Sequence, residues 1–383
     1  MPPYMQIGQV PPKRHTQFRK EDGSLYREEV FGTEGFEGVE SILYHEHEPT
    51  KVSKLKGSRE MGTKAWRPKQ HRHHHLRLGK VDAGGDFVEA RRPVATSEEC
   101  TLSVIKPTEG MTGFFRNATA DELFFVKQGE GHFETVFGKL PYRAGDYVHM
   151  PRGTTYRLPG GDGQTFLLIE SPGPITFPDK YLNKYGQFLE HSPYCERDLH
   201  GPTELIQSDE EGPFEIHVKT WDEVSVLEVP HSPLDVVGWD GYNYPFTFNI
   251  EDFEPITGRI HQPPPVHATF VGPGFEVISW VPRKLDYHPK SIPAPYYHAN
   301  IDTDELIYYV EGNFTSRKGV DSESLTIHRR GLHHGPQPGR YEGSIGVEEA
   351  HETAVMIEAE SHFELTEHAK GVDEADYMMS WTE

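Results

Sequence analysis

From about residue 97 to 172 the chain is a series of short apolar stretches, evenly spaced and punctuated by Gly and Pro. Asp121-Glu122-Leu123-Phe124-Phe125-Val126-Lys127 is the clearest. In Gly131 to Phe137 the residues alternate, with His132, Glu134 and Val136 on one side and Phe133, Thr135 and Phe137 on the other. Gly145 to Met150 closes on the turn Pro151-Arg152-Gly153-Thr154, and Thr165 to Glu170 ends at Ser171-Pro172. Such spacing predicts consecutive strands of a sandwich or barrel and leaves no room for long helices. A total of 37 Gly and 31 Pro favours the same many-turned architecture.

A second strand-rich region runs from about 231 to 365, with its clearest strands at 275–281, 305–310 and 353–358. Between the two regions, residues 172 to about 228 are rich in Pro, Asp and Glu and read as a connection. Residues 1 to about 95 are polar and irregular; the run His71-Arg72-His73-His74-His75 within them reads as structural or surface histidines. The tail from Asp373 is polar and compatible with a short helix. The expected division is residues 1–230, with a barrel core at about 97–172 and a linker, and residues 231–383 as a second barrel. A weak repeat links them. Glu122 and Glu305 are each followed by an apolar strand and, seven residues on, by Gly129 and Gly312.

The chain has 383 residues and a formal charge of -22, which repels phosphate backbones and anionic lipid and so argues against nucleic-acid and membrane partners. No apolar run approaches the ~18 residues of a membrane span. Two cysteines, Cys100 and Cys195, and no basic-then-apolar N-terminal segment are the pattern of a cytoplasmic protein.

Chemistry concentrates in one stretch. His298 is followed by Asn300, then Glu305, the apolar run Leu306 to Val310, and Gly312; His334 lies twenty-nine residues after Glu305, before Gly335-Pro336. Two histidines and one carboxylate on neighbouring strands are the set that holds Fe(II) while leaving sites open for substrate and oxygen. Side chains on a strand alternate faces, so a turn through the polar Asp302-Thr303-Asp304 is needed to bring His298 and Glu305 inward together. His333 is the rival of His334, but adjacent strand residues face opposite ways.

These residues resemble the cupin motifs, and more closely those of the homogentisate 1,2-dioxygenase family. The likeness rests on Pro295-Tyr296-Tyr297-His298, Asn300, Glu305, Gly312, Thr326-Ile327-His328 and His334-Gly335-Pro336, with weaker matches at Gly238 to Pro245 and Leu25 to Thr33. The resemblance implies an all-β, two-domain bicupin of jelly-roll barrels. It implies Fe(II) on His298, Glu305 and His334, with His261 as the active-site acid or base (His267 being the alternative). Tyr296 and His328 would line the substrate pocket. It also implies a homotrimer, or trimers paired into a hexamer. The family commonly has a Tyr at the position of Phe314 and a Lys at that of Arg317, and its loop before the Glu is one residue shorter. These departures bear on the substrate more than on the metal. The N-terminal barrel is expected to lack metal ligands. Phe115 and Asn117, or Arg116 and Ala118, stand in its first motif and Tyr156 in its second, which leaves Glu122 as a remnant or a partner for an Arg.

The activity implied is ring cleavage of a hydroquinone-type aromatic with insertion of both atoms of O2, homogentisate giving maleylacetoacetate in tyrosine and phenylalanine catabolism. Arg317 or His328 would orient the substrate carboxylate, since Arg pairs with it bidentately. Asn300, where dioxygenases acting on gentisate or salicylate resemble a three-histidine pattern, favours the homogentisate type. The alternatives are a cupin dioxygenase on gentisate, hydroquinone or hydroxyanthranilate, and a non-oxidative bicupin isomerase or binding protein.

Overall fold

The computed structural model describes residues 2–382 except 313 and 315. Its strands build two packed units. In the first, a nine-stranded sheet carries Asp121–Gln128 between Asp146–Met150 and Thr165–Ser171, and faces a seven-stranded sheet that includes Phe114–Asn117, Gly131–Thr135 and Thr155–Arg157. Phe124, Val126, Phe166 and Leu168 point from the first sheet, and Phe115, Phe133, Leu140 and Tyr156 from the second, into one buried core. The intervening residues Leu123, Phe125, Leu167 and Ile169 point the other way. There they pack in one cluster with Leu306, Tyr308, Ile327, Val355 and Ile357 of the second unit. The period of two thus lets one sheet supply both a barrel interior and an inter-unit core. That is the bicupin, all-β arrangement expected from the sequence.

The second unit is a six-stranded antiparallel sheet in the order Ala268–Gly272, Phe275–Trp280, Glu352–Ala359, Asp304–Gly312, Ser324–His328, His74–Arg77. With Leu306 and Tyr308 committed to the inter-unit core, Glu305, Ile307 and Tyr309 face the opposite, concave side. Gly312 closes the long strand with φ +107, and a Cβ there would meet the His351 carbonyl oxygen at 2.2 Å. The motif glycine is therefore required by backbone conformation and by space.

Two features differ from expectation. Residues 211–231 are not a linker: Glu211–Thr220 and Glu223–His231 form a hairpin that extends the seven-stranded sheet. Their polar composition follows from partial exposure, and Trp221, with φ +54, makes the turn. Strands from either side of residue 231 share sheets: Val236–Gly241 pairs with Met5–Gly8 and Glu40–His45, and Phe246–Asn249 with Asp146–Met150. In the histidine run the structural alternative holds for three residues: His74–Arg77 is the edge strand of the second unit, and His73, His74 and His75 are buried, while His71 is exposed. Among the described residues, no helix is long and apolar enough to cross a membrane.

Candidate metal centre and its pocket

His298 and His334 are tied by reciprocal backbone hydrogen bonds of 2.9 and 2.8 Å, which holds their ring centroids 4.2 Å apart. Glu305 approaches both rings from the start of its strand. Its Oε2 lies 3.8 Å from His298 Nε2 and 3.6 Å from His334 Nε2. These are non-bonded separations, wide enough for a cation to sit between. The Nδ1–H of His298 points to the Tyr296 carbonyl at 3.1 Å, and that of His334 to the Leu332 carbonyl at 3.4 Å. Both Nε2 lone pairs are therefore turned toward Glu305, and that of His334 is buried without a hydrogen-bond partner. An orphaned imidazole nitrogen whose other nitrogen is fixed to a carbonyl is the environment of a metal-bound histidine. His333 is exposed and its neighbour His334 buried, as strand alternation requires.

Burial alone would raise the Glu305 carboxyl. The imidazoles of His298, His328 and His334 outweigh it and hold the group well below the usual carboxylate range. Glu305 is thus an anion at neutral pH, as a ligand must be. Its other oxygen, Oε1, accepts from His328 Nδ1 at 2.5 Å. His328, expected to line the pocket, stands behind Glu305: it is fully buried, and its Nε2 meets Arg317 Nη2 at 3.4 Å and the Tyr377 hydroxyl at 3.3 Å. Burial first and the Arg317 cation next push its imidazole well below its ordinary range.

The concave face opens into a cavity of about 150 Å³ whose walls include His261, His267, Phe314, Arg317, His298 and Glu305. His261 Nδ1 is 2.9 Å from Asp286 Oδ2, which leaves Nε2 available to the cavity. His267 is committed elsewhere. It is buried, Nε2 contacts the backbone of Ile256, and its ring packs edge-on against Trp280. Burial pushes its imidazole down to about 4. Arg317 is buried, donates to the Gly335 carbonyl at 2.6 Å, and leaves Nε without a partner. Phe314 stands edge-on to Tyr309, with centroids 4.5 Å apart. Tyr296 is half exposed; it sits 5.3 Å from the His261 ring in a shallower depression next to the cavity.

Several supporting residues were not foreseen. His73 donates to the His333 carbonyl, accepts from the Arg329 N–H, and packs edge-on to both His328 and His334 at 5.4 and 5.5 Å. Trp381, in the C-terminal turn Tyr377–Trp381, donates to the Gly335 carbonyl at 3.1 Å. Glu358 lies directly across from Glu305 in the sheet, and Glu276 directly across from Glu358. Burial, then the negative charges of Glu305 and Glu276, push the Glu358 carboxyl up to about 7. The histidine run and the tail aromatics were visible signals, but spacing alone does not say which strand an edge segment joins.

In the first barrel the counterpart Glu122 is engaged by its neighbours. It accepts from Arg91 at 2.6 Å, Tyr156 at 2.7 Å and Asn117 at 3.2 Å, all buried. Tyr156 and Asn117 are the residues that occupy its motif positions.

A protein of Saccharolobus solfataricus, provisionally named a dioxygenase with no substrate given, is 42% identical over 381 residues, covering 99% of this chain and 98% of its own. Homogentisate 1,2-dioxygenase of Rhodopseudomonas palustris is 27% identical over 70% of this chain. That of Rhizobium etli is 24% identical over 77%. The chain spans 62% of the length of the Rhodopseudomonas enzyme. A cupin 2 conserved barrel domain protein from Leptotrichia buccalis shows a TM-score of 0.35 at 8% identity, covering 76% of this chain and 98% of that one. The family model described as homogentisate 1,2-dioxygenase N-terminal matches residues 39–250, more than half of the chain, including the strands that frame Glu122. On that match, and on the full-length relative, the chain belongs to the homogentisate 1,2-dioxygenase family.

Proposed function

We propose that the protein is an Fe(II)-dependent dioxygenase that opens the ring of a hydroquinone-type aromatic carboxylate, with homogentisate to maleylacetoacetate as the reaction. The observation that carries this reading is the convergence of two imidazole nitrogens, that of His334 buried without a partner, on one buried carboxylate oxygen, at the wall of a cavity that also holds an imidazole and a guanidinium. His298, Glu305 and His334 would hold the iron, which when bound supplies adjacent sites for the phenolate and O2 and a conduit for electron density from ring to oxygen.

The chain's own residues do the rest. Arg317 takes the substrate carboxylate: it is a buried cation with an unused Nε–H, in a protein whose overall charge opposes anionic ligands. His261, oriented by Asp286, accepts the proton of the ring hydroxyl para to the iron-bound one through Nε2, and the carboxylate stabilises the imidazolium that results. Phe314 and Ile307 give the ring an apolar wall and exclude water. His328 holds Glu305 in its ligating rotamer. The first barrel takes no part in the chemistry, because Arg91 and Tyr156 consume Glu122. A cytoplasmic homotrimer or hexamer belongs to the same reading and is tested by sedimentation.

The test is oxygen uptake by iron-loaded protein over homogentisate, gentisate, hydroquinone and 3-hydroxyanthranilate. Homogentisate turns over fastest, and His261→Gln lowers kcat by roughly 10²–10⁴-fold with iron content unchanged. Iron binding without oxygen uptake on any of them would leave a non-oxidative cupin. One observation favours another phenolic substrate. The relative that matches over its full length has no named substrate, whereas the named homogentisate enzymes match over part of theirs. A faster rate with gentisate or hydroxyanthranilate selects that reading.

A further inference from the structure

A second cluster of metal-type ligands lies in the N-terminal half of the fold and shares no residue with the Glu305 cavity. It joins three segments. His231 ends the strand Glu223–His231, Asp235 precedes Val236–Gly241, and His47 follows Glu40–His45 by two residues. One ligand atom from each of the three lies within 4.8 Å of the other two. The rings of His47 and His231 stack at 4.3 Å with 16° between their planes.

The hydrogen bonding around the cluster is what a cation would need. His231 is 7% exposed; its Nδ1–H donates to the Ser232 carbonyl at 3.2 Å, and its Nε2 is buried with no partner. Asp235 is 1% exposed and keyed from outside: Oδ1 accepts from His45 Nδ1 at 2.7 Å and Oδ2 from the His47 backbone N–H at 2.9 Å. His45 is itself fixed on its other nitrogen by Glu29 at 2.7 Å. His47 Nδ1 contacts Asp235 Oδ2 at hydrogen-bond distance, 3.2 Å, and its side chain is 36% exposed, so the cluster opens to solvent on that side. Arg116 lines the same cavity as His231 and Asp235, with its Nε turned to Thr155 Oγ1 at 2.8 Å. An imidazole whose far nitrogen is fixed to a carbonyl, as in His231, and a carboxylate oriented by a further hydrogen-bonded layer, as in Asp235, are what metal ligands have around them.

We propose that His47, His231 and Asp235 form a second, zinc-type divalent-cation site. Two imidazole nitrogens and one carboxylate oxygen, with a solvent-facing fourth position, suit Zn(II) or a similar first-row cation better than Mg(II) or Ca(II), which take oxygen ligands. The cation ties His47, just after Glu40–His45, to the turn between the later strands Glu223–His231 and Val236–Gly241, so its effect is structural.

The test uses Co(II) as a spectroscopic probe on chelator-treated full-length protein. In Glu305→Ala, which disables the proposed iron centre, one equivalent of Co(II) binds with visible ligand-field absorption and raises the unfolding temperature. Adding His47→Ala or His231→Asn to that background weakens Co(II) binding at least tenfold. Should His231→Asn fail to fold, the partly exposed His47→Ala decides. The proposal is overturned if Glu305→Ala binds no Co(II), or if neither histidine replacement alters its affinity. The iron-centre reading fails separately, if wild type binds only the one equivalent that Glu305→Ala retains.

Discussion

His328 Nδ1 lies 2.5 Å from Glu305 Oε1, across a strand pair in which the two residues are direct partners. The sheet register therefore fixes the carboxylate before any ligand arrives. Glu305 turns one oxygen to His328 and the other to His298 and His334, so each oxygen has one task. Replacing His328 with Ala leaves the ligands in place but frees the carboxylate to rotate. Iron affinity, read by chelator competition, is expected to fall about 10–100-fold, with His328→Asn intermediate. Unchanged affinity in His328→Ala would remove His328 from the centre.

On the proposed function, Arg317 would separate substrates by charge. Arg317→Met is expected to raise KM for homogentisate by roughly 10–100-fold, the worth of a charge-assisted hydrogen bond of about 1.5–3 kcal/mol. For hydroquinone, which has no carboxylate, KM should change little. Equal losses on both substrates would mean that Arg317 acts through His328 and not on the carboxylate.

Arg91 binds Glu122 at 2.6 Å with both side chains almost wholly buried, and its guanidinium stacks 4.5 Å from the Phe115 ring. Removing one partner of such a pair leaves a buried charge. Arg91→Ala should destabilise the fold by about 3–5 kcal/mol in denaturant unfolding. Arg91→Met with Glu122→Gln, which removes both charges, should recover much of that loss.

Asp121 supplies the clearest dependence on pH. Burial alone would raise its carboxyl, but His149, the Ile175 N–H and Arg152 outweigh it and bring it down to about 2. Its folded pKa is below its unfolded value of about 3.9. Its stabilisation is therefore complete above about pH 5 and lost as pH falls toward 2, a contribution of about 2 kcal/mol. In Asp121→Asn, the drop in unfolding temperature between pH 6 and 3 should shrink relative to wild type.

Much of this was legible in the residue order. Strands with their own alternation and punctuation, such as 121–127 and 305–310, stand where the spacing put them, with ends shifted by a residue or two. The convergence of His298, Glu305 and His334 was expected as well, from their spacing around the apolar strand that Glu305 opens. The histidine run was open between structural and surface, and His73 to His75 take the structural alternative, with strand partners some 250 residues away. Two things escaped. The hairpin 211–231 is half exposed, so its composition imitates a linker. His328 carries a pattern equal to that of a pocket residue; only the register, which sets it against Glu305, shows that it works from behind.

The edge strand His74–Arg77 pairs with Ser324–His328, and Thr366 near the C-terminus pairs with Ala65. A ribosome makes residues 65–77 about 250 to 300 residues before their partners. Until those partners emerge, the earlier segments hold open hydrogen-bonding edges with nothing to receive them, and the six-stranded sheet lacks its border. Neither half is then a free-standing module, and exchange of one barrel between relatives would leave both products with exposed edges prone to self-association.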